Sequence, residues 1–259
     1  MSGHGTDDSR PLAEGAQLYE TDRSVAEYLE FHYGPECLGV PNFPTACAEA
    51  AVAAVVSVGH AGRARCLDVG CAVGRSSFEL ARDFLHVDAV DFSHRFIEAA
   101  SRLARDGRIL WHAATEGFLS IERSASVPPV PADRVRFLQG DACRLTADLS
   151  GYDLVLAANL IDRLHDPAAF LADIAERVVP GGVLAITSPY TWLEAYTPPE
   201  KWLGGRVVDG RPVWSFEGLT ASLAGWFKLI DRRDIPFVIR ETARKHQHSI
   251  AEFTAWHRR

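Results

Sequence analysis

The sequence has few cysteines, and none of them is spaced for a structural metal site. The 259 residues include five cysteines, Cys37, Cys47, Cys66, Cys71 and Cys143. The number is odd, and no two of them form a Cys-x-x-Cys pair. A structural zinc site and a disulfide-stapled secreted fold are therefore both disfavoured. We expect a reduced, cytoplasmic protein without a metal.

Long apolar runs and a leader-like segment are also missing. No stretch of about 18 consecutive apolar residues occurs, so no membrane-spanning helix is expected. The first ten residues, MSGHGTDDSR, are polar and hold no apolar part of a secretory signal. We expect a soluble protein that does not associate with membranes.

An excess of positive charge is absent as well. The chain has 27 Lys and Arg against 34 Asp and Glu, a formal net charge of −7. An acidic chain lacks the basic surface that binds phosphates, so nucleic acid is not an expected partner. Apolar residues make up 47% of the sequence, which excludes a wholly disordered chain and can supply a full core.

The order of apolar segments predicts one α/β domain with an N-terminal helical cap. Residues 1–15 are small and polar, and we expect a disordered tail there. Residues 16–62 hold two helical patterns, which form the predicted cap. Over residues 63–259 short apolar strands alternate with amphipathic helices, which indicates a doubly wound, mostly parallel sheet. The strands are apolar without alternation, as expected for a sheet that is covered on both faces.

Two segments interrupt this alternation. Residues 109–134 hold short apolar stretches on both sides of Glu116 and Gly117, which predicts a hairpin followed by a proline-rich loop. Residues 190–214 are rich in Pro, Gly, Trp and Tyr and are too long for an ordinary connection. Long ordered loops after sheet strands often close over active sites, so we interpret residues 190–214 as a lid.

A loop with two glycines, LDVGCAVG at residues 67–74, lies between a predicted strand and a predicted helix. Glycines at such a turn let the backbone approach a ligand closely. A dinucleotide fingerprint counted from Gly70 fails, because Arg75 takes the third glycine position. Asp68 would repel a pyrophosphate and suits a cationic ligand such as S-adenosylmethionine instead.

Two further aspartates follow neighbouring predicted strands. Asp91 ends the second strand, where a carboxylate can accept hydrogen bonds from both ribose hydroxyls. Asp141 follows the third strand and could accept a hydrogen bond from an adenine amino group. A lone aspartate at a strand end is more often a helix N-cap. Three at successive strand ends favour a nucleotide-like ligand, since open α/β sheets bind ligands at that edge.

These motifs resemble those of the class I methyltransferases that use S-adenosylmethionine. The resemblance implies a Rossmann-like, seven-stranded sheet and a methyl transfer without a metal. One departure is Ala72, where the family usually has glycine and where a methyl group is tolerated if φ is negative. The resemblance assigns the cofactor to Asp68, Gly70, Cys71, Ala72, Gly74, Asp91, Phe92, Asp141, Ala142 and Asn159.

Further segments resemble one narrower family, the stand-alone methyltransferases of ovothiol biosynthesis. This resemblance runs from about residue 19 to the C-terminus. It implies methylation of an imidazole ring nitrogen of 5-thiohistidine, with ovothiol A and S-adenosylhomocysteine as products and a sulfoxide synthase as a functional partner. The segments that carry it are YETDRSVAEYLEFHYG (19–34), GVPNFP (39–44), GCAVGRSSFELAR (70–82), NLIDRL (159–164), SPYTW (188–192), WLGG (202–205) and PFVIRETARKHQ (236–247).

Asn159 and Asp162 follow the fourth predicted strand, beside the expected position of the transferred methyl group. Either side chain could orient the acceptor ring or bind its ammonium group, and helix capping is an equal alternative. Displacement at a sulfonium methyl group needs mainly a positioned nitrogen lone pair, so a strong general base is not required. We predict that these two residues are catalytic.

The residues predicted to bind the methyl acceptor lie in the cap, after the fifth strand and near the C-terminus. Packing against the core is the alternative for several of them. An arginine in the basic cluster of Arg240, Arg244 and Lys245 could pair with a substrate carboxylate, although such clusters are commonly solvated. The predicted acceptor-binding residues are Tyr19, Tyr28, His32, Tyr33, Asn42, Tyr190, Trp192 and Arg244.

Three other functions fit parts of the sequence. A methyltransferase for another small metabolite would carry the same cofactor motifs. A nicotinamide oxidoreductase is disfavoured by Arg75 and Asp68. A non-catalytic cofactor-binding module would use residues 190–214 to bind a protein partner.

Overall fold

The computed structural model describes residues 19–127, 130 and 132–259. The predicted tail, residues 1–15, lies outside this part of the chain. The described helices are α1 (Asp22–Tyr33), α2 (Phe43–Ser57), α3 (Arg75–Leu80), α4 (His94–Asp106), α5 (Pro167–Arg177) and α6 (Ser215–Leu223). The described strands are β1 (Arg65–Val69), β2 (His86–Asp91), β3 (Arg108–Glu116), β4 (Leu119–Ser126), β5 (Val135–Gln139), β6 (Tyr152–Ala158), β7 (Val178–Ser188), β8 (Arg206–Val208), β9 (Arg211–Val213), β10 (Phe227–Arg240) and β11 (His246–Arg258). None of these helices is long and apolar enough to cross a membrane.

A seven-stranded sheet with the order β10-β11-β7-β6-β1-β2-β5 forms the centre of the fold. The strands β7, β6, β1, β2 and β5 run parallel, whereas β11 pairs antiparallel with both β7 and β10. The strand order reverses between β1 and β6, as in doubly wound sheets. The predicted α/β fold, a mostly parallel seven-stranded sheet preceded by a helical region, is confirmed.

Both faces of the sheet are buried, which explains why the strand sequences do not alternate. On one face α2 and α3 form a core that includes Cys47, Phe84 and Leu154. On the other face α5 and α6 form a second core that includes Phe170 and Trp256.

Side-chain caps fix the two N-terminal helices. The hydroxyl of Thr21 accepts a hydrogen bond from the backbone N–H of Ser24 and so begins α1. The Asn42 side chain begins α2 by accepting from the N–H of Thr45, and its amide donates to the carbonyl of His32 at 2.9 Å. Asn42 thus joins the end of α1 to the start of α2.

The hairpin predicted within residues 109–134 is present as β3–β4. It lies against α1, where the indole N–H of Trp111 donates to the Glu30 carboxylate at 2.9 Å. The β10–β11 turn meets the same hairpin, because the N–H of Ala243 donates to the carbonyl of Thr115.

The β10–β11 hairpin extends past the carboxyl end of the sheet. Ser188, the last residue of β7, pairs with Glu252 in the middle of β11. The hairpin continues beyond that point through residues 235–240 and 246–251, which pair only with each other. This overhang contacts α1 and α2, so the hairpin and the two helices enclose the space above the strand ends.

The segment predicted to be a lid, residues 190–214, contains the β8–β9 hairpin and contacts the rest of the fold. The hydroxyl of Thr197 donates to the carbonyl of Leu164 at 2.6 Å. The rings of Trp192 and Trp202 stack, with their centroids 6.2 Å apart. Its movement as a lid stays a prediction.

Gly74, the residue before α3, is expected not to tolerate a side chain. Its φ is +86°, and an added Cβ would lie 2.7 Å from the Phe137 ring. Gly74→Ala should lower the free energy of unfolding by about 2–5 kcal/mol, because left-handed strain adds to overlap with the ring. Gly107→Ala is the matched control, since Gly107 has a φ of +72° but no atom within 4 Å of an added Cβ. Gly107→Ala should lower the free energy of unfolding by only about 1–2 kcal/mol. Equal losses for the two variants in urea unfolding would contradict the expected overlap with Phe137.

Candidate functional site

A cavity of about 690 Å³, here called the main cavity, lies at the carboxyl edge of the sheet. Gly70 and Ala72 line it after β1, Asp91 and Phe92 at the end of β2, and Asn159 after β6. Ligands of open α/β sheets bind at this edge, where the strand order reverses. The main cavity is therefore the candidate site.

The loop after β1 folds back over β2. The backbone N–H groups of Gly70 and Cys71 both donate to the carbonyl of Val90, at 2.8 and 3.1 Å. The condition under which a methyl group at position 72 is readily tolerated, a negative φ, is not met, because the φ of Ala72 is +47°. The N–H of Ala72 instead donates to the Asp91 carboxylate at 2.9 Å, and this bond offsets part of the left-handed strain.

Asp91 connects this loop to the cavity. One carboxylate oxygen accepts from Ala72, and the other accepts from the N–H of Ser93 at 2.9 Å. Burial raises the pKa of Asp91 to about 6, against the lowering effect of these two hydrogen bonds. Its ionisation therefore changes just below neutral pH.

Asp68 lies beneath the loop, outside the cavity lining. One of its oxygens accepts from the hydroxyls of Ser76 and Ser77, at 2.7 and 2.6 Å, which ties β1 to α3. The other oxygen is buried and has no hydrogen-bond partner in the part of the chain described. Burial raises the pKa of Asp68 to about 6.

Four more predicted cofactor residues also lie outside the lining of the main cavity. Asp141 accepts from the N–H of Cys143 at 2.8 Å, the capping role that was the alternative for it. The other three are the buried Cys71 and Ala142, and Gly74, which lies against the ring of Phe137.

Asn159 lines the main cavity with a strained backbone. Its φ is +50°, its N–H donates to the Thr187 carbonyl at 2.9 Å, and its side-chain oxygen accepts from the Thr187 hydroxyl. Ala72 after β1 and Tyr190 after β7 are left-handed as well. Non-glycine residues in this region are uncommon and cluster at functional sites.

Asp162 lines the cavity but is 1% exposed and fully hydrogen-bonded. One oxygen accepts from the Ser188 hydroxyl, and the other accepts from Arg163 and from both the N–H and the hydroxyl of Thr191. These bonds join the loop after β6 to the loop after β7. The contacts of Asp162 are those of a residue that holds two loops together.

Tyr19, Tyr28 and His32 line the cavity from the N-terminal region. Tyr28 packs on Phe96 with ring centroids 4.5 Å apart, and burial raises the pKa of Tyr28 to about 12. Burial lowers the pKa of His32 to about 3, with a smaller effect from the nearby Arg75. His32 is therefore a neutral imidazole near pH 7.

The other predicted acceptor-binding residues lie outside the lining of the main cavity. Tyr33 donates to the carbonyl of Val73, and Asn42 is the helix cap described above. The hydroxyl of Tyr190 donates to Glu252, and the indole of Trp192 donates to Ser215. Arg244 is exposed in the β10–β11 turn.

An aromatic pocket, the part of the main cavity lined by Phe31, Phe43 and Phe237, was missed by sequence reasoning. The ring of Phe43 stacks with that of Phe31 at 6.0 Å and lies 4.9 Å from that of Phe237. The available signal was the short apolar run IPFVI at residues 235–239, which is consistent with a strand but does not show what it faces. Other lining residues that were missed are Arg23, Glu27, Pro44, Ser76, Phe96, Ala158, Arg163, Pro189, Thr191, Ile239, Glu241, Gln247 and Ser249.

The charged lining of the main cavity is negative overall. In the described chain its carboxylates are Glu27, Asp91, Asp162 and Glu241, and its guanidiniums are those of Arg23 and Arg163. Such a lining favours a cationic ligand over an anionic one. Within residues 19–127, 130 and 132–259, no group of three or more His, Cys, Asp or Glu could hold a metal ion.

Comparison with known sequences agrees with this geometry. Residues 67–186 match the protein family described as "Methyltransferase domain". Two ubiquinone biosynthesis O-methyltransferases, from Caulobacter sp. (strain K31) and Caulobacter vibrioides, are 28% and 26% identical to the chain over 169 and 167 residues. The matches cover 62% and 61% of this chain, which spans only 58% and 57% of the length of these relatives.

Two solved methyltransferase structures and one cyclase structure share the fold. Magnesium protoporphyrin IX methyltransferase from Synechocystis PCC 6803, with bound S-adenosylmethionine, has a TM-score of 0.60 at 12% identity and covers 98% of this chain and 100% of its own. N-methyltransferase NodS from Bradyrhizobium japonicum WM9, in complex with S-adenosyl-L-homocysteine, has a TM-score of 0.53 at 15% identity and covers 90% and 98%. The [4+2]-cyclase SpnF has a TM-score of 0.59 at 18% identity and covers 95% and 97%. Residues 67–186 are thus similar in sequence to methyltransferase domains, and these structures share the α/β fold of the chain.

Removing the charge of Asp162 should destabilise the fold. In Asp162→Asn an amide NH₂ would face hydrogen-bond donors, so we expect a loss of about 1–3 kcal/mol in the free energy of unfolding. Urea unfolding measures it, and Asp148→Asn is the control because Asp148 is exposed. Unchanged stability of Asp162→Asn would show that its four hydrogen bonds do not hold the loops.

Proposed function

We propose that the protein methylates an imidazole ring nitrogen of 5-thiohistidine with S-adenosylmethionine, giving ovothiol A and S-adenosylhomocysteine. The observation that carries the proposal is one cavity that joins the strand-end carboxylate of Asp91 to an aromatic pocket beside the neutral His32. The sequence resemblance, which runs from about residue 19 to the C-terminus, supports this particular acceptor. A functional partnership with a sulfoxide synthase is part of the same proposal.

The residues at the strand ends fit S-adenosylmethionine. The Asp91 carboxylate lines the cavity at the end of β2, where it would accept from ribose hydroxyls beside Phe92. Gly70 and Ala72 bring their backbone to the cavity in left-handed conformations. The negative lining suits a sulfonium and an ammonium group. When bound, S-adenosylmethionine would supply a methyl group whose carbon a lone pair attacks in line, with S-adenosylhomocysteine as the leaving group.

The aromatic pocket would hold a flat methyl acceptor. Phe31, Phe43 and Phe237 provide apolar faces for a ring, and His32 and Asn159 provide neutral hydrogen-bonding groups. The Asn159 side-chain oxygen already accepts from Thr187, which leaves its NH₂ group to donate to an acceptor. These groups fix the orientation of the ring, and catalysis rests on positioning.

A second candidate is O-methylation of another small acceptor, which the similarity to ubiquinone biosynthesis O-methyltransferases favours. A hydroxyl must lose its proton during the transfer, so it needs a base. His32 has a pKa of about 3, and the Asp162 carboxylate is fully hydrogen-bonded. His32 and Asp162 thus suit a nitrogen nucleophile better than a hydroxyl, which would need a base among the other cavity carboxylates, Glu27, Asp91 and Glu241.

Incubation with S-adenosylmethionine and 5-thiohistidine tests the proposal. Mass spectrometry should detect a product that is heavier by one methyl group, together with S-adenosylhomocysteine. L-Histidine and a catechol serve as alternative acceptors. Turnover of the catechol but not of thiohistidine would support the second candidate and refute the first.

Binding of S-adenosylhomocysteine should weaken as the pH falls through about 6. Hydrogen bonds from ribose hydroxyls require the ionised Asp91, whose pKa in the free protein is about 6. We expect the full affinity for S-adenosylhomocysteine at pH 7.5 and an affinity up to about tenfold lower at pH 5. Calorimetry at both pH values measures this change.

The variant Asp91→Asn shows whether this pH dependence comes from Asp91 or from Asp68, whose pKa is also about 6. We expect this variant to bind about tenfold more weakly at pH 7.5, because it loses charge-assisted hydrogen bonds. Its affinity should then change little between pH 7.5 and 5. A variant that keeps the full pH dependence would assign that dependence to Asp68.

A further inference from the structure

A smaller cavity of about 160 Å³, here called the side cavity, adjoins the aromatic pocket. The rings of Phe31 and Phe43 line both cavities. The side cavity is also lined by the charged side chains of Glu30 on α1, Arg123 on β4 and Arg240 on β10. It therefore has polar walls, in contrast to the aromatic pocket.

Two buried polar atoms of these residues lack partners. Glu30 is 6% exposed, and one of its carboxylate oxygens accepts from the indole of Trp111. Its other oxygen, Oε1, has no hydrogen-bond partner among the described residues, and neither has Nε of Arg123. Arg240 comes within 3.7 Å of Oε1, and Arg123 within 3.9 Å of the other oxygen. Both distances are too long for hydrogen bonds.

This arrangement is unusual for charged groups in a protein interior. Buried charges are normally paired and hydrogen-bonded, because desolvation is costly. Here the buried carboxylate of Glu30, the exposed Glu36 and two guanidiniums line one cavity, and Glu30 forms ion pairs with both arginines that are too long for hydrogen bonds. Oε1 of Glu30 can accept a hydrogen bond and Nε of Arg123 can donate one. A ligand that carries both a cationic donor and an anionic acceptor would satisfy both atoms. An ammonium group and a carboxylate on one carbon meet this requirement.

We propose that the side cavity binds the head group of an α-amino acid, with its ammonium on Glu30 and its carboxylate on Arg240 and Arg123. Arg240, with a side chain 14% exposed, takes the carboxylate-binding role predicted for Arg244. The head group has two conceivable sources. It belongs to the methyl acceptor, which rests on the proposed function, or to a separate free amino acid.

Calorimetry with S-adenosylhomocysteine present tests the head-group site without requiring turnover. The probes are 5-thiohistidine, L-histidine, histamine (which lacks the carboxylate), imidazole propionate (which lacks the ammonium) and glycine. We expect an amino acid to bind and each truncated analogue of histidine to bind at least about tenfold more weakly, because a charge-assisted hydrogen bond is lost. Equal affinities for L-histidine and histamine, or no binding of any probe, would overturn the proposal.

Glu30→Gln and Arg240→Gln assign the two ends of the head group. Arg240→Gln should reduce the difference in affinity between L-histidine and histamine, because only Arg123 is left for the carboxylate, and Glu30→Gln should reduce the difference between L-histidine and imidazole propionate. A purely structural role would weaken all probes by the same factor, and that result would refute the assignment. The controls are Glu49→Gln on α2 and Arg233→Gln on β10, which lie outside both cavities. Thermal unfolding checks that each variant is folded.

Competition by glycine separates the two sources. Glycine that displaces 5-thiohistidine shows that the head group belongs to the methyl acceptor. Glycine that binds alongside 5-thiohistidine shows that a separate amino acid occupies the side cavity. If the protein distinguishes the probes as expected but transfers no methyl group to 5-thiohistidine, the proposed function is refuted and the head-group site is supported. A crystal structure soaked with L-histidine that holds only water in the side cavity would overturn the head-group site alone.

Discussion

The site depends on β10 and β11 continuing past the end of β7. Ser188 ends β7 opposite Glu252, and beyond that pair the two long strands have only each other as partners. An isolated two-stranded ribbon is marginally stable in water, so its apolar face needs cover. Phe237 finds that cover on Phe31 of α1 and Phe43 of α2. The same packing holds both N-terminal helices over the strand ends, so one interaction closes the cavity and builds its aromatic wall.

The opposite wall of the main cavity contains both strained backbone and a carboxylate that can bind a ligand. Ala72, Asn159 and Tyr190 are left-handed non-glycine residues after three neighbouring strands. The N–H of Ala72 is held by the Asp91 carboxylate, which also faces the cavity. A ligand that hydrogen-bonds to Asp91 therefore favours the ionised carboxylate that keeps the loop in shape. Within the proposed function, cofactor binding and loop conformation would depend on the same proton.

The fold and the strand-end edge could be predicted because their signals are local. A glycine loop after one strand and Asp91 at the end of the next lie within a single βα unit. The aromatic pocket could not be predicted, since Phe31 and Phe237 are far apart in sequence and meet only through the overhang. The sequence also does not indicate which of Arg240 and Arg244 lies at a cavity. Strand register does so, because Arg240 ends β10 beside the side cavity while Arg244 lies in the exposed turn.

The charges around the main cavity favour positioning over proton transfer. The neutral His32 is a weak base because burial lowers its pKa to about 3, and the Asp162 carboxylate is occupied by hydrogen bonds to the two loops. Within the proposed function, an imidazole nitrogen brings its own lone pair and needs only to be held at the methyl group. The negative lining adds a second effect, because S-adenosylmethionine is cationic whereas S-adenosylhomocysteine has lost the sulfonium charge. Within the proposed function, electrostatic attraction would hold the substrate more strongly than the product and would promote release after each transfer.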